Sequence, residues 1–500
     1  MEEQLMTLKS ILAEVSDLRS GAALLDWDQQ CYMPAGGGEA RGHHFSTLQR
    51  LAHERFTSDE VGELLEALAG PAEGLDPDSD DARLVKVTQR DFNKRTRVPA
   101  DLIGEFYGVV GRAHTIWQEA RAENNFAKFK PILNRIVDLR RQYAACFQPY
   151  EHVYDALLDD YEPGMKTTDV QAIFAELRPQ QVELIQAIRE KPQVGNKFLF
   201  QEFDSQKQWE FGEMVITAFG FDWKHGRQDK AAHPFTIALG RDDVRVTTRV
   251  DPQFLNPALF ATMHECGHAL YEQGSAPKLE RTLLSGGASL AIHESQSRMW
   301  ENLVGRSLSF WRYYYPHLQH AFPAQLGNVD LNTFYHGINQ VAPSLIRVEA
   351  DEATYNLHIM LRLEIEIGLM EGSLEVGDLP EIWNDRMQAY LGITPPNDKL
   401  GVLQDVHWSG GSFGYFATYA LGNVISAQFW DKIQTDIPDL NDQIERGQFH
   451  MLLAWVREKI HRHGREFTPQ ELVQRVAGSK IDPEPYMHYL RTKYGQIYNL

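Results

Sequence analysis

Apolar side chains recur at helical spacing through most of the chain. Residues 104–124, 131–149, 351–371 and 449–463 are the longest such stretches, and each predicts a helix with one buried face. Residues that start and stop helices punctuate them. Thr168-x-x-Gln171 and Thr468-Pro469-x-Glu471 read as capping boxes, the second with proline at the first helical position, and Asp378-x-x-Glu381 has the same form. The stretch 351–371 opens on acids and stops at Gly372, as the helix dipole and a left-handed cap both favour. Residues 235–250, FTIALGRDDVRVTTRV, break the period. Val244, Val246 and Val250 alternate there with Arg245, Thr247 and Arg249 behind a Gly-Arg-Asp-Asp turn, which predicts a short β-hairpin. The segments 34–42 and 70–81 read as polar turns, and the glycine triplet 36–38 as flexible loop. Neither a fixed-period repeat nor a break in composition appears. The expectation is one large, mainly α domain over residues 1–500 with a small sheet.

Composition narrows the partners. The net charge is −20, which argues against nucleic acid and anionic membranes, since both need a basic face. The apolar stretch nearest to spanning length, residues 413–430, is broken by Thr418, Asn423, Ser426 and Gln428. The opening MEEQLMTLKSILAEVSDL lacks the basic start and cleavage site of a signal peptide. Three separated cysteines, Cys31, Cys146 and Cys266, fit a reducing compartment, so the expected location is cytoplasmic.

The chemistry concentrates at 264–268. His264-Glu265-Cys266-Gly267-His268 has the H-E-x-x-H form, in which histidines at i and i+4 share a helix face and reach one ion. Glu265 stands beside them as a base for a water. Cys266 lies about 200° from His264 at roughly 100° per residue, so it points into the packing. The preceding hairpin could hold an extended peptide by edge pairing. A catalytic zinc takes three protein ligands, and Glu272, Glu280, His293, Glu294 and Glu301 are all candidates for the third. A helix is expected to begin near Ser289. On that helix Glu294 and Arg298 are four apart, which by itself describes an ordinary surface ion pair.

Segments beyond the motif carry a resemblance. HECGH followed by HESQSR at 293–298 is similar to the carboxypeptidase Taq family of metallocarboxypeptidases. So are WDQQCYMP at 27–34, HPF at 233–235, DVRVT at 243–247, IRVEAD at 346–351, GVLQDVHW at 401–408 and SGGSFGYFATYALGN at 409–423. The resemblance implies a helical, saddle-shaped fold with a deep groove, akin to neurolysin and angiotensin-converting enzyme. It also implies a cytoplasmic homodimer and zinc as the metal, with cobalt or manganese as substitutes.

The same resemblance implies roles. Glu294 becomes the third ligand beside His264 and His268, with Arg298 orienting a carboxylate and His293 a neighbour. Glu265 is the base, and Tyr419, with Tyr415 next in line, supplies the oxyanion donor. Arg347 grips the substrate's free carboxylate; spacing alone makes it a helix surface pair with Asp351, four residues on, and the two readings are compatible if Asp351 orients the guanidinium. His233 and His407 contact substrate, and Arg245 closes the groove's far end. The expected reaction is release of single C-terminal residues from peptides with broad specificity. The competing readings are a related oligopeptidase or dipeptidyl carboxypeptidase, and a helical scaffold in which the motif is incidental.

Overall fold

The computed structural model describes residues 1–500. In chain order its first helices are α1 (Glu2–Cys31), α2 (Gly38–Phe56), α3 (Asp59–Glu73), α4 (Asp80–Thr96), α5 (Ala100–Ala122), α6 (Phe126–Ala145), the single turn α7 (Asp155–Leu158), α8 (Thr167–Arg189) and α9 (Ser205–Phe219). Three strands follow: β1 (Gly226–Lys230), β2 (Thr236–Gly240) and β3 (Asp243–Thr248). Next come α10 (Asn256–Gly274), α11 (Leu290–Arg298), α12 (Leu308–Ala321), α13 (Pro323–Leu326), α14 (Leu331–Ile338) and α15 (Tyr355–Glu371). The chain ends with α16 (Leu379–Leu391), α17 (Ala417–Asp436), α18 (Leu440–Ile444), α19 (His450–Lys459), α20 (Pro469–Ala477) and α21 (Glu484–Tyr498). The protein is mainly helical with one small sheet, as the periodicity predicts. No helix is long and apolar enough to cross a membrane.

All four periodic stretches are helical at their centres. α6 begins a turn before Pro131 because the Asn125 side chain accepts from Lys128 N–H and starts it. α15 starts only at Tyr355, because the Asp351 carboxylate binds Ala353 and Thr354 N–H in a turn. It stops at Gly372, whose φ of 81° is left-handed. The Thr468–Glu471 box is formed in both directions. The Thr168–Gln171 box is not: α8 begins at Thr167, whose N–H and hydroxyl go to buried Asp155 at 2.8 and 2.7 Å. Asp378 precedes α16 but its side chain makes no cap. The glycine triplet is not a loop, since residues 35–37 form a 3₁₀ turn that runs straight into α2.

The hairpin exists, with a third strand that the sequence did not announce. The sheet order is β1-β3-β2, with β1 parallel and β2 antiparallel to β3, and Val250 lies beyond its end. Val244 and Val246 are buried on the α10 side, and Gln228 of β1 reaches Thr262 there. On the other face, Arg227 and Arg245 both lie over Trp27 of α1. The sheet is thus held between α10 and the end of α1. β1 escaped notice because GRQDK has no apolar alternation.

One continuous apolar core runs from α5 to α21. A smaller one of 15 residues joins α1–α4 to Leu279, Leu283 and Leu284, just before α11. Arg465–Asp91 and Arg281–Asp17 tie the same helices to the rest of the chain.

The start of α11 is anchored by an acid. Ser289 caps it through Ile292 N–H, Leu290 N–H reaches the Tyr161 carbonyl, and Ala291 N–H donates to Glu162 Oε1 at 2.6 Å. Glu162 is fully buried and its Oε2 has no partner. Burial pushes this carboxyl up to about 8, with Ser289 and Ala291 pulling it back only in part. An unfolded glutamate ionises near ~4.3, so the stability this group confers is full below that pH and is lost as pH rises through about 8. Glu162→Gln does not titrate. Its melting temperature should lie close to that of the parent near pH ~5 and exceed it by roughly 2–6 °C near pH ~8.5. A pH series of scanning calorimetry in which the gap fails to widen would contradict this.

Candidate metal centre and carboxylate pocket

α10 and α11 meet with almost nothing between them. A Cβ on Gly267 would stand 2.6 Å from Ser297 Cα and 2.7 Å from the Gln296 carbonyl. α17 closes on the same point: a Cβ on Gly422 would stand 2.6 Å from Glu294 Cβ. This junction sets His264 and His268 of α10 against Glu294 of α11. Glu294 Oε2 lies 3.6 Å from the Nε2 of each histidine, and the three ligand atoms all fall within 4.8 Å of one another. Ligand atoms around a tetrahedral zinc, with bonds of about 2.1 Å, are about 3.4 Å apart. The two separations from Glu294 are close to that spacing.

Each ligand is held from behind. His264 Nδ1 is 2.9 Å from Glu301 Oε2, and His268 Nδ1 is 3.1 Å from His293 Nδ1, whose Nε2 meets Glu272 at 2.7 Å. Arg298 donates to Glu294 Oε1 at 2.7 Å and to Glu301 Oε2 at 3.2 Å. Such contacts fix ring orientation and tautomer. Burial pushes the Glu294 carboxyl up, but Arg298 and the His264 ring outweigh it and hold it below the usual range. Four of the five candidate third ligands are therefore accounted for. Glu301, His293 and Glu272 support the rings, and Glu280 faces away, accepting from Arg241 N–H. The Glu294–Arg298 pair read as a surface feature is real, but it is buried and aims the carboxylate.

Glu265 is buried, and Thr236 of edge strand β2 donates to its Oε2 at 2.7 Å. Burial, the largest cause, raises its carboxyl above the usual range. Cys266 is fully buried on the packed side of α10, as its angular position predicts.

A second cluster adjoins the first through aromatic rings. Arg298 lies over the ring of Tyr355, 4.6 Å from its centre. The Tyr355 hydroxyl accepts from Arg347 Nη1 at 2.9 Å. Arg347 is 6% exposed, sits in a 3₁₀ turn, and gives Nε and Nη2 to Asp405 Oδ1 at 3.1 and 3.0 Å. Asp405 also takes Arg362 Nε at 2.7 Å. The two arginines hold its carboxyl below the usual range against the cost of burial. Asp351 is not the partner of Arg347. Residue 347 is not on an α-helix, so the i,i+4 geometry does not arise, and Asp351 instead binds the N–H groups of Ala342, Ala353 and Thr354. An aspartate 58 residues away does that work, inside the GVLQDVHW segment.

Tyr419 stands one turn before Gly422 on α17, and its hydroxyl is 3.4 Å from that of Tyr415. Both rings are partly buried beside His407, which burial pushes down to about 4. Arg347 lies 5.1 Å from the Tyr419 ring centre. Arg347, His407, Tyr415 and Tyr419 are thus brought together. His233 is exposed in the loop between β1 and β2 and joins no hydrogen bond or ion pair. Arg245 lies on the sheet face away from α10, paired with Asp243 at 2.8 Å. Tyr355 and Asp405 went unnoticed in the sequence, because nothing local marks a tyrosine or an aspartate whose partners are remote.

The model for the carboxypeptidase Taq (M32) metallopeptidases matches residues 7–494. Thermostable carboxypeptidase 1 of Thermus thermophilus is 41% identical over 97% of this chain and 97% of its own. Carboxypeptidase 1 of Bacillus subtilis is 38% identical over 98% of each. The crystal structure of the M32 carboxypeptidase from Deinococcus radiodurans R1 superposes with a TM-score of 0.97 at 42% identity, covering 100% of both chains. With the ligand geometry, the fold and these relatives in agreement, the chain belongs to the carboxypeptidase Taq family and is a metallocarboxypeptidase.

Proposed function

We propose that the enzyme removes single residues from the C-terminus of peptides, with broad specificity, using Glu265 as general base. The observation that carries this reading is the unbroken line from Glu294 through Arg298 and Tyr355 to Arg347. It couples a metal ligand to a buried guanidinium. An arginine has five N–H donors, and Arg347 commits three of them to Asp405 and Tyr355. Two remain for a substrate carboxylate, the number a bidentate pair needs.

His264, His268 and Glu294 would hold the ion. Two imidazoles and a carboxylate suit zinc, with cobalt or manganese as substitutes. A divalent cation there supplies Lewis acidity to the scissile carbonyl and to the attacking water. Glu265, raised by burial and held by Thr236, takes the water's proton and passes it to the leaving amine. The Tyr419 hydroxyl donates to the developing oxyanion. Burial, then neighbouring Tyr415 and Tyr355, keep it well above its ordinary pKa, so it remains a donor. Arg347 fixes the terminal carboxylate, and His407 and Tyr415 contact the last residue. His233 and Arg245 enter only as groups that a longer substrate reaches. The edge of β2 carries the extended peptide. A cytoplasmic homodimer belongs to the same proposal, on the family resemblance and the three free cysteines.

Metal content tests the ligand set. Glu294→Ala should lose stoichiometric metal, while Glu265→Gln keeps it and loses turnover by about 10²–10⁴. Elemental analysis of both variants decides this, and full occupancy in Glu294→Ala would disprove the ligand assignment. Product analysis tests the anchor. A peptide acid should lose one residue per cycle while its C-terminal amide is nearly inert, because the amide lacks the anion for the two N–H donors that Arg347 leaves free of Asp405 and Tyr355, a loss of about 2–5 kcal/mol. Arg347→Met should slow the acid strongly and narrow the gap between the two. Release of dipeptides, or comparable rates on acid and amide, would favour a dipeptidyl carboxypeptidase or oligopeptidase.

A further inference from the structure

His407 and Tyr415 stand at the two ends of a stretch that no long element holds. His407 opens a 3₁₀ turn over His407–Gly410, and Gly411 and Gly414 are both left-handed, with φ of 67° and 94°. α17 starts only after Phe416. Side chains on such a segment keep their places only if the backbone is tied from outside.

The tie is one face of α15. Arg362 and Glu366 are four apart there, on the same side of the helix. Arg362 holds Gln404 and Asp405, just before His407. Glu366 takes the immediate neighbours of both pocket residues. Its Oε1 accepts from Trp408 Nε1 at 2.9 Å, beside His407, and its Oε2 accepts from Gly414 N–H at 2.9 Å, beside Tyr415. The Tyr154 hydroxyl, ahead of α7, reaches Oε2 as a third donor at 2.6 Å.

Glu366 is wholly buried and, unlike Glu294 or Asp405, has no cation in ion-pair contact. Burial pushes its carboxyl up to about 7, and the three donors draw it only part of the way back. An unpaired charge is costly to bury. It persists here on three hydrogen bonds, two of them to the segment that carries the pocket. A carboxylate suits the place because it accepts on both oxygens and donates from neither when ionised. Glutamine has one oxygen. Turned to keep Gly414 and Tyr154, it sets its NH₂ against the Trp408 N–H, so the His407 end is the one released.

We propose that Glu366 is a positioning residue for substrate: through Trp408 and Gly414 it sets His407 and Tyr415 at the separation that grips the last residue of the peptide. The inference rests on the reading above in which those two side chains contact that residue.

The test measures kcat and KM for a peptide acid on metal-loaded protein, with metal content and far-UV circular dichroism as checks. Glu366→Gln should keep the metal and the fold, raise KM about tenfold and lower kcat by less than about threefold, because the grip is already made in the bound ground state. A purely structural loss instead lowers kcat with the fraction of intact enzyme and leaves KM alone. In a His407→Ala background the same change should raise KM by less than about twofold, since the group it positions is gone. Glu364→Gln, two residues away on α15 and bonded to Arg386 and Tyr390 outside the segment, should leave KM where it is. Should Glu366→Gln not fold, Trp408→Phe removes the same bond from its other side, and KM should again rise severalfold. An unchanged KM in Glu366→Gln, or in Trp408→Phe where that variant stands in for it, overturns the proposal. So does an undiminished effect in the His407→Ala background. If His407→Ala itself leaves KM unchanged, the reading of His407 as a substrate contact has failed, and the positioning role falls with it. If the parent does not hydrolyse the peptide, the peptidase reading fails by itself, and the same comparisons on the dissociation constant of a labelled peptide acid decide the role of Glu366.

Discussion

Everything at the centre depends on three helix backbones touching. Gly267 lets α10 lie against Gln296 and Ser297 of α11, and Gly422 lets α17 lie against Glu294. A single methyl at either glycine would fall inside contact distance. Packed helices cannot absorb such a change by small adjustments, because interiors are as dense as crystals. The junction thereby places two histidines, one carboxylate and, one turn before Gly422, Tyr419. Catalytic groups need placement to about 0.5 Å, and helices give it better than loops do.

Charge is then arranged around that junction in alternation. Glu301, Arg298 and Glu294 form one run, and Arg347, Asp405 and Arg362 another, joined by Tyr355. Each buried charge has an opposite neighbour, so loss of one partner would strand the other at a cost of about 3–5 kcal/mol. The arrangement orients donors and acceptors more than it stabilises the fold.

What the sequence revealed follows from the range of each interaction. Helix positions were legible because burial repeats every three or four residues, and the Thr468–Glu471 cap because its partners are three apart. The histidines and Glu265 were legible for the same reason. Glu294 was ambiguous from spacing, since an i,i+4 pair with Arg298 looks the same on a surface and in a metal site. Arg347 shows the converse error. Asp351 had helical spacing without a helix, while Asp405 lay 58 residues away. Thr168 failed as a cap because Asp155 took the neighbouring Thr167, twelve residues on from it, instead. β1 was missed because a strand paired in parallel with β3 needs no apolar alternation of its own.

The central claim, that helix contact sets the metal geometry, is tested most directly at Gly422, which touches Glu294 without being a ligand. The measurement is the zinc dissociation constant of folded Gly422→Ala by competition with a chelator, with far-UV circular dichroism as the check on the fold. The account predicts an unchanged helical spectrum and affinity weakened about 10–100-fold, because the added methyl displaces the Glu294 carboxylate. A folded variant that binds zinc as tightly as the parent would show that the ligands find their positions without the junction.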